Sequence, residues 1–574
     1  MAVIKYEGTT FQDTTTAVIL SQADTYFFAG DSITSSLLAT PVEWQAVLGS
    51  RLRIDGAISG VDSAVEVDTA ILLPPTSPQL SDAAPVPVVS YSMLIGSTGN
   101  LSASNGVNSG VLDVGTLGFE LLNNGSISGS GTGIYLRDTL DTFNITNSAS
   151  GTISSSGSRA IYIAYQPYAP VGPREITNHG TISGAEGIVN ASPGSLEVQN
   201  FGTITATNGY VISTTTQSDI ELLNRGMIDG EVLGGGIYRI DRVVNYGFIN
   251  AQLDLGEGSD VVINHNVMSA VRFGSGNWTL INSGNILGDV SADSALSGAY
   301  TGAATIVNSN FISGSVDFGT STGMSAVYLG AGGMIAGGVL SGTERDDLFV
   351  IQQNGLFVNG RLGNDRVVLL SDFTSGSLQG IETVVLREGS AANAVVLNVF
   401  DDVTVQGNSG NNMIAQFSIG ALSAFGGTGN DTLTGGINND VLLGGSGTDS
   451  LTGGQGNDTL IAGDGFGDVL FGGEGDDVLI GNGSGPNRLD GGTENDYIAA
   501  GSSGDSIYGA GGQDTLVGGV GGDFFYFDTD MLDGSRDRIV NYDLLFDFIL
   551  ISGTLIDGSN APTNIGTAGF SGTG

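Results

Sequence analysis

A carboxylate or amide side chain recurs at Asp431, Asp440, Asp449, Asp458, Asp468, Asp477, Asn487, Asp496, Asp505, Asp514 and Asp523, nine residues apart except for two steps of ten. Glycine-rich turns precede these positions, as in GGTGNDTLT, GGINNDVLL, GGSGTDSLT and GGQGNDTLI. Such a turn suits a hard cation: calcium takes roughly six to eight oxygens in a flexible shell. The glycines can adopt positive φ and turn backbone carbonyls inward, while the aspartate supplies the charge. Twice the nine-residue spacing makes one full turn, so loops n and n+2 stack and share an ion. Eleven loops would then hold about eight or nine ions. In GGINND, Asn438 replaces the fourth-position glycine but Asp440 is kept, so Asp440 stays in the expected ligand set. The loop GNGSGPN departs from the pattern, and Asn487 is left out.

Short strands must hold these loops in place. Two residues beyond each sixth position stands an apolar side chain: Leu433, Leu442, Leu451, Leu460, Leu470, Leu479, Leu489, Ile498, Ile507, Leu516 and Phe525. That register predicts a three-residue strand whose middle residue points into a core. Imperfect loops of the same kind, GTERDDLFV, GRLGNDRVV and GNSGNNMIA, occur between residues 341 and 425, and LGEGSDVVI lies further upstream. They add Asp346, Asp365 and Asp260 to the candidate metal ligands.

A looser repeat fills the first half, with the unit apolar–apolar–Asn–x–Gly–x–Ile–x–Gly. It appears at Asn123, Asn178, Asn200, Asn224, Asn245, Asn264, Asn282 and Asn308, with a degenerate copy at Asp55. Repeats of this length, alternating apolar and polar with glycine at a corner, suit the rungs of a parallel β-helix. The asparagines are expected to stack as a ladder of amides that satisfies backbone groups at the turn. The long interval from Asn147 to Asn178 implies an insertion, IYIAYQPYAPVGPRE. The fold expected is all-β: a parallel β-helix (β-solenoid) followed by a parallel β-roll. Its segments are 1–50 of unclear fold, 51–340 β-helix, 341–425 irregular solenoid, 426–527 roll and 528–574 tail.

On the nonapeptide pattern, residues 426–527 resemble the β-roll of the RTX (repeats-in-toxin) family. The resemblance implies calcium ligation by the aspartate of each matching repeat, with loop carbonyls completing the shell. The tail YFDTDMLDGSRDRIVNYDLLFDFILIS, around Asp537, Ile539, Asp547 and Ile549, is similar to the family's C-terminal secretion region. Such tails are read by type I export machinery, which needs no N-terminal signal. The start, MAVIKYEGTTFQD, has no basic stretch followed by an apolar core. The resemblance therefore implies a secreted or cell-surface bacterial protein that folds on meeting calcium outside the cell.

Charge narrows the partners. With 59 acidic and 17 basic residues and a net charge of −42, the chain is ill suited to nucleic acid, which needs Lys and Arg to displace counterions. The absence of Cys excludes disulfides and thiolate metal sites. The only histidines are His179 and His265, and no H-E-x-x-H motif occurs, which removes a zinc protease. One G-x-S-x-G surrounds Ser321, but both histidines precede it, against the hydrolase order. A solenoid joined to such a roll also resembles polysaccharide lyases and epimerases. The local constellation that could serve one is Tyr162, Tyr165, Tyr168, Arg174, Glu175 and His179. The expected function is a non-enzymatic structural or adhesive role as a surface-layer, matrix or self-assembling surface protein. The alternative is a secreted polysaccharide-modifying enzyme. Expected partners are calcium, further copies of the chain, cell-surface polysaccharide and the type I machinery.

Overall fold

The computed structural model describes residues 119–527 apart from 137–141, 166–171, 216, 236–238, 293–301, 320–322, 324, 331 and 398–400. It also describes 536–543, 545–551 and, before residue 119, strand segments between Val3 and Gly115. The described residues form strands and turns with no α-helix, so no helix among them is long and apolar enough to cross a membrane. Two compact units divide the chain, Met1–Ser315 and Val316–Gly574. That division differs from the sequence-based boundaries at 340, 425 and 527, which follow changes of repeat type.

The first unit is a parallel β-helix. One turn consists of Phe119–Asn123, Ser126–Gly129 and Thr132–Leu136; the next repeats it as Phe143–Asn147, Thr152–Ser155 and Arg159–Ile163. Pairing is parallel and in register, with Leu121 opposite Ile145, Ile127 opposite Ile153 and Ile134 opposite Ile161. Alternate residues point inward, so Leu121, Ile145, Ile176, Val198, Leu222, Val243, Val262, Leu280 and Ile306 form one continuous buried column. No rung could bury such a side chain alone; stacking makes the core.

The Asn–x–Gly corner explains itself in this packing. Asn123, Asn147, Asn178, Asn200, Asn224, Asn245, Asn264, Asn282 and Asn308 are all wholly buried. From Asn123 to Asn282 each side-chain amide donates to the side-chain oxygen of the next asparagine, as from Asn200 to Asn224 at 2.8 Å and from Asn224 to Asn245 at 2.8 Å. The same nitrogen also donates to a backbone carbonyl, Asn224 to that of Phe248 at 3.1 Å. The corner glycine is required by close approach: a Cβ on Gly226 would lie 2.0 Å from the carbonyl oxygen of Gly202, and one on Gly247 2.0 Å from that of Gly226.

Residues 1–50, which carry no recognisable rung in the sequence, also supply parallel strands. Val3–Tyr6 pairs with Asp24–Phe27, that strand with Arg51–Ile54, and Arg51–Ile54 with Tyr91–Ile95. The proline-rich stretch from Pro74 to Pro87 lies outside the described residues.

The second unit begins with short parallel strands and ends in the roll. Two ladders run through the roll, each skipping alternate strands. One joins Thr432–Thr434, Ser450–Gln455, Val469–Glu474, Arg488–Thr493, Ser506–Ala510 and Phe524–Phe527. The other joins Val441–Ser446, Thr459–Gly463, Val478–Ile480, Tyr497–Ala499 and Thr515–Val517. The eleven apolar side chains from Leu433 to Phe525 are each wholly buried, as their spacing predicts. The roll does not stop at residue 527. Arg538–Val540 pairs with Thr515–Val517, and Phe548–Ile551 pairs with Phe524–Phe527, so the described part of the tail adds rungs to both ladders.

Candidate metal centre

Each sixth-position aspartate of the roll is buried at the inner edge of its loop. One carboxylate oxygen serves the backbone. Oδ1 of Asp449 accepts the N–H of Asp431 at 2.7 Å, Oδ1 of Asp468 that of Asp449 at 2.7 Å, and Oδ1 of Asp477 that of Asp458 at 2.7 Å. The contact recurs from Asp440 to Asp458, Asp477 to Asp496, Asp496 to Asp514 and Asp505 to Asp523. Asp514 and Asp523 in turn donate to Oδ1 of Asp537 and Asp547 in the tail. Every aspartate therefore completes the backbone of the preceding turn. This second duty was not visible in the sequence, because the spacing marks the residue type but not which oxygen faces which way.

The other oxygen defines the site. Oδ2 of Asp431, Asp449, Asp458, Asp468, Asp477, Asp496 and Asp523 is buried without a hydrogen-bond partner. A buried carboxylate oxygen with nothing to bond is costly unless a cation meets it. The first glycine of the repeat makes room for it. A Cβ on Gly426 would lie 2.3 Å from Oδ2 of Asp431, one on Gly453 2.2 Å from that of Asp458, and one on Gly491 2.2 Å from that of Asp496. The second and fourth positions hold the loop open through left-handed backbone, as at Gly454 (φ 120°) and Gly456 (φ 117°).

Burial pushes these carboxyls upward: Asp431, Asp477 and Asp523 to about 6, Asp458 to about 7 and Asp496 to about 8. The same cause raises Asp440, Asp449, Asp468 and Asp505. Without a cation these groups are poorly suited to carry charge where they sit. Among the described residues no three His, Cys, Asp or Glu side chains converge as a metal centre. The fitting ion is therefore one that accepts backbone carbonyls as most of its shell, which describes calcium. When bound, it supplies the positive charge that keeps the buried carboxylates ionised.

The structure alters the set outside the roll. The register position expected at Asp346 belongs to Asp347: Asp346 is exposed, whereas Oδ1 of Asp347 accepts the N–H of Ser325 at 2.7 Å, and its Oδ2 is not bare but accepts the N–H of Thr343 at 2.6 Å. The sequence GTERDD offers two adjacent aspartates, and the inward position of Phe349, two residues beyond Asp347, settles the choice. Asp365 matches the roll, with Oδ2 buried and unpartnered and its carboxyl pushed up to about 7, chiefly by burial. Arg361 in its loop takes the glycine-like φ of 76°. Asp260 is buried in the first unit and accepts the N–H of Asp241 at 3.0 Å; burial raises it to about 8. Asp241 does not show in the repeat because it stands seven positions after the first glycine, Gly234, where the nonapeptide has five; both its oxygens accept backbone N–H groups, of Ile220 and Gly235 at 2.7 Å.

The possible catalytic constellation does not assemble among the described residues. Arg174 is buried and donates to the Pro193 carbonyl and to Oδ1 of Asn190, both at 3.0 Å. The Tyr162 ring lies under the Arg159 guanidinium at 4.4 Å, while His179 stacks on Phe201 at 4.7 Å. Glu175 pairs beside Glu197 on a different strand ladder from Tyr162. Tyr168 and Ser321 lie outside the described residues.

A family model for the RTX calcium-binding nonapeptide repeat matches residues 425–460, 462–485 and 490–525. The roll is an RTX calcium-binding array. No curated protein matches the chain. The RTX array and the β-helix before it make this an all-β, calcium-binding solenoid protein. The matched segments take in the aspartates whose Oδ2 is unpartnered from Asp431 to Asp523. The segments also break at 461 and between 485 and 490, beside the two irregular loops that end at Asp468 and Asn487.

Proposed function

We propose that this protein is exported by a type I system, folds its roll on calcium outside the cell, and serves there as structural or adhesive material. The observation that carries this is the row of buried, unpartnered aspartate oxygens, which ties the fold of the roll to a cation. A metal that binds only the folded form acts as a switch, since its binding free energy becomes folding free energy. The RTX array and the tail motif around Asp537 and Asp547 support export by a type I system. The parallel β-helix supports a surface role. It offers regular flat faces, and the titratable groups that could serve an enzyme are spread over different ladders and partly buried in structural contacts.

The test is electron microscopy of the purified full chain in millimolar calcium and in excess chelator. Ordered sheets or filaments only with calcium are expected. Dispersed monomers under both conditions would remove self-assembly from the proposal. Release of unsaturated or epimerised sugar from an acidic polysaccharide would favour the enzymatic alternative.

A further inference from the structure

The sixth-position side chains of the roll fall into two groups that the motif does not separate. In the loops ending at Asp431, Asp449, Asp458, Asp477 and Asp496, the second and fourth positions are left-handed. These are Gly427 and Gly429, Gly445 and Gly447, Gly454 and Gly456, Gly473 and Gly475, and Gly492 with Glu494. Glu494 takes φ 74° despite its side chain, so the open shape is kept even where glycine is lost. In each of these loops Oδ2 has no hydrogen-bond partner. The longer loop ending at Asp468, with Gly463 and Gly467 left-handed, behaves the same way.

The loops ending at Asp440 and Asp505 are built differently. Neither Gly436 and Asn438 in one nor Gly501 and Ser503 in the other is left-handed. The backbone instead turns an N–H inward: Gly436 donates to Oδ2 of Asp440 at 2.6 Å, and Gly501 to Oδ2 of Asp505 at 2.9 Å. The hydrogen occupies the side of the carboxylate that the open loops leave bare, and the positive end of the peptide dipole faces any incoming cation. At the third exception, Asn487, the side-chain amide donates to the carbonyls of Gly481 at 3.1 Å and Asn482 at 3.2 Å. A neutral N–H₂ group there takes the loop carbonyls that a metal would otherwise draw.

We infer that the loops ending at Asp440, Asn487 and Asp505 are closed by the protein's own hydrogen bonds and hold no calcium. The ions lie between the stacked open loops of Asp431, Asp449 and Asp468 on one edge, and of Asp458, Asp477, Asp496 and Asp514 on the other. Loop 509–514 joins this set because Ala510 (φ 67°) and Gly512 (φ 129°) are left-handed. Loop 518–523 is open too, with Gly519 (φ 89°) and Gly521 (φ 142°) left-handed and Oδ2 of Asp523 unpartnered. It has no open neighbour, because Oδ2 of Asp505 accepts the N–H of Gly501 and Oδ2 of Asp547 that of Asp543 at 2.6 Å. Calcium is thus absent from the earlier end of the second edge and from the later end of the first. The closed loops fold without metal and act as fixed rungs between metal-dependent ones. This inference rests on the calcium assignment but not on export or assembly.

Calorimetry and native mass spectrometry of the full chain count bound calcium directly. Asp458→Asn and Asp477→Asn should each lower the count, whereas Asp440→Asn and Asp505→Asn should leave it unchanged. Asn438→Gly, which restores the glycine that the open loops carry, should raise the count by at least one ion. That gain can be read even where an Asp440 variant fails to fold. An Asp440→Asn chain that loses as much calcium as Asp458→Asn, or an Asn438→Gly chain that gains none, would overturn the inference. Wild-type protein that takes up no calcium would instead overturn the calcium assignment itself.

Discussion

At the scale of the residue, an aspartate of the roll has two tasks, one for each oxygen. Oδ1 accepts a backbone N–H from the preceding turn, and Oδ2 waits in a cradle that only glycine leaves open. The nonapeptide spacing made the second task legible and hid the first. Asp440 illustrates the limit: its letter matches the repeat, but Asn438 changes the backbone, and the backbone decides what Oδ2 meets. Titration follows from the same burial. The carboxyls of Asp431, Asp458, Asp477, Asp496 and Asp523 rise to between about 6 and about 8 in the folded chain, against an ordinary value of 3.8. A raised value favours the protonated fold. In chelator, that contribution is fully present below about pH 4 and is lost as pH climbs through about 6 to 8. Circular dichroism of the metal-free chain should show more β structure at pH 5 than at pH 8. The opposite order would contradict it.

At the scale of the element, the strand is short and the ladder does the stabilising. The asparagine column was legible because its amide must be buried at a corner, mostly with glycine two residues on (Asn147, Asn264 and Asn308 have Ala149, Asn266 and Asn310 there), and both features are in the sequence. Asn224 donates to the Asn245 side chain and the Phe248 carbonyl, and accepts from Asn200. Asn224→Ala strands those partners in a dry interior and should cost about 1–3 kcal/mol. A lowered melting temperature for the first unit, with calcium uptake by the roll unchanged, is the expected result; no shift in melting would mean that the ladder is idle. The strands of residues 1–50 were not legible, because they lack the Asn–x–Gly corner; they join the ladder by parallel pairing. The tail was legible as a motif but not as structure. Asp537 and Ile539, and likewise Asp547 and Ile549, repeat the aspartate-plus-two register of the roll and extend its ladders.

At the scale of the whole molecule, stability accumulates turn by turn, since rungs pair with near neighbours in the chain. The final described rungs are therefore more than an appendage. Asp537→Ala and Asp547→Ala would leave the amides of Asp514 and Asp523 without their acceptors. At about 1–3 kcal/mol for each stranded group, the double variant should need severalfold more calcium to fold the roll. A calcium titration followed by circular dichroism reads that shift, and an unchanged midpoint would show that the Asp537 and Asp547 carboxylates are dispensable. The direction of these bonds matters beyond their strength. The N–H of each sixth-position residue from Asp431 to Asp523 is met by the side-chain oxygen of a sixth-position residue later in the chain, or of Asp537 or Asp547 in the tail. The neighbouring N–H groups run the other way, Ser450 donating to the carbonyl of Asp431 and Val469 to that of Asp449. An inner turn therefore leans on both its successor and its predecessor, and a stack cut short from its later end exposes the amides of its last turn.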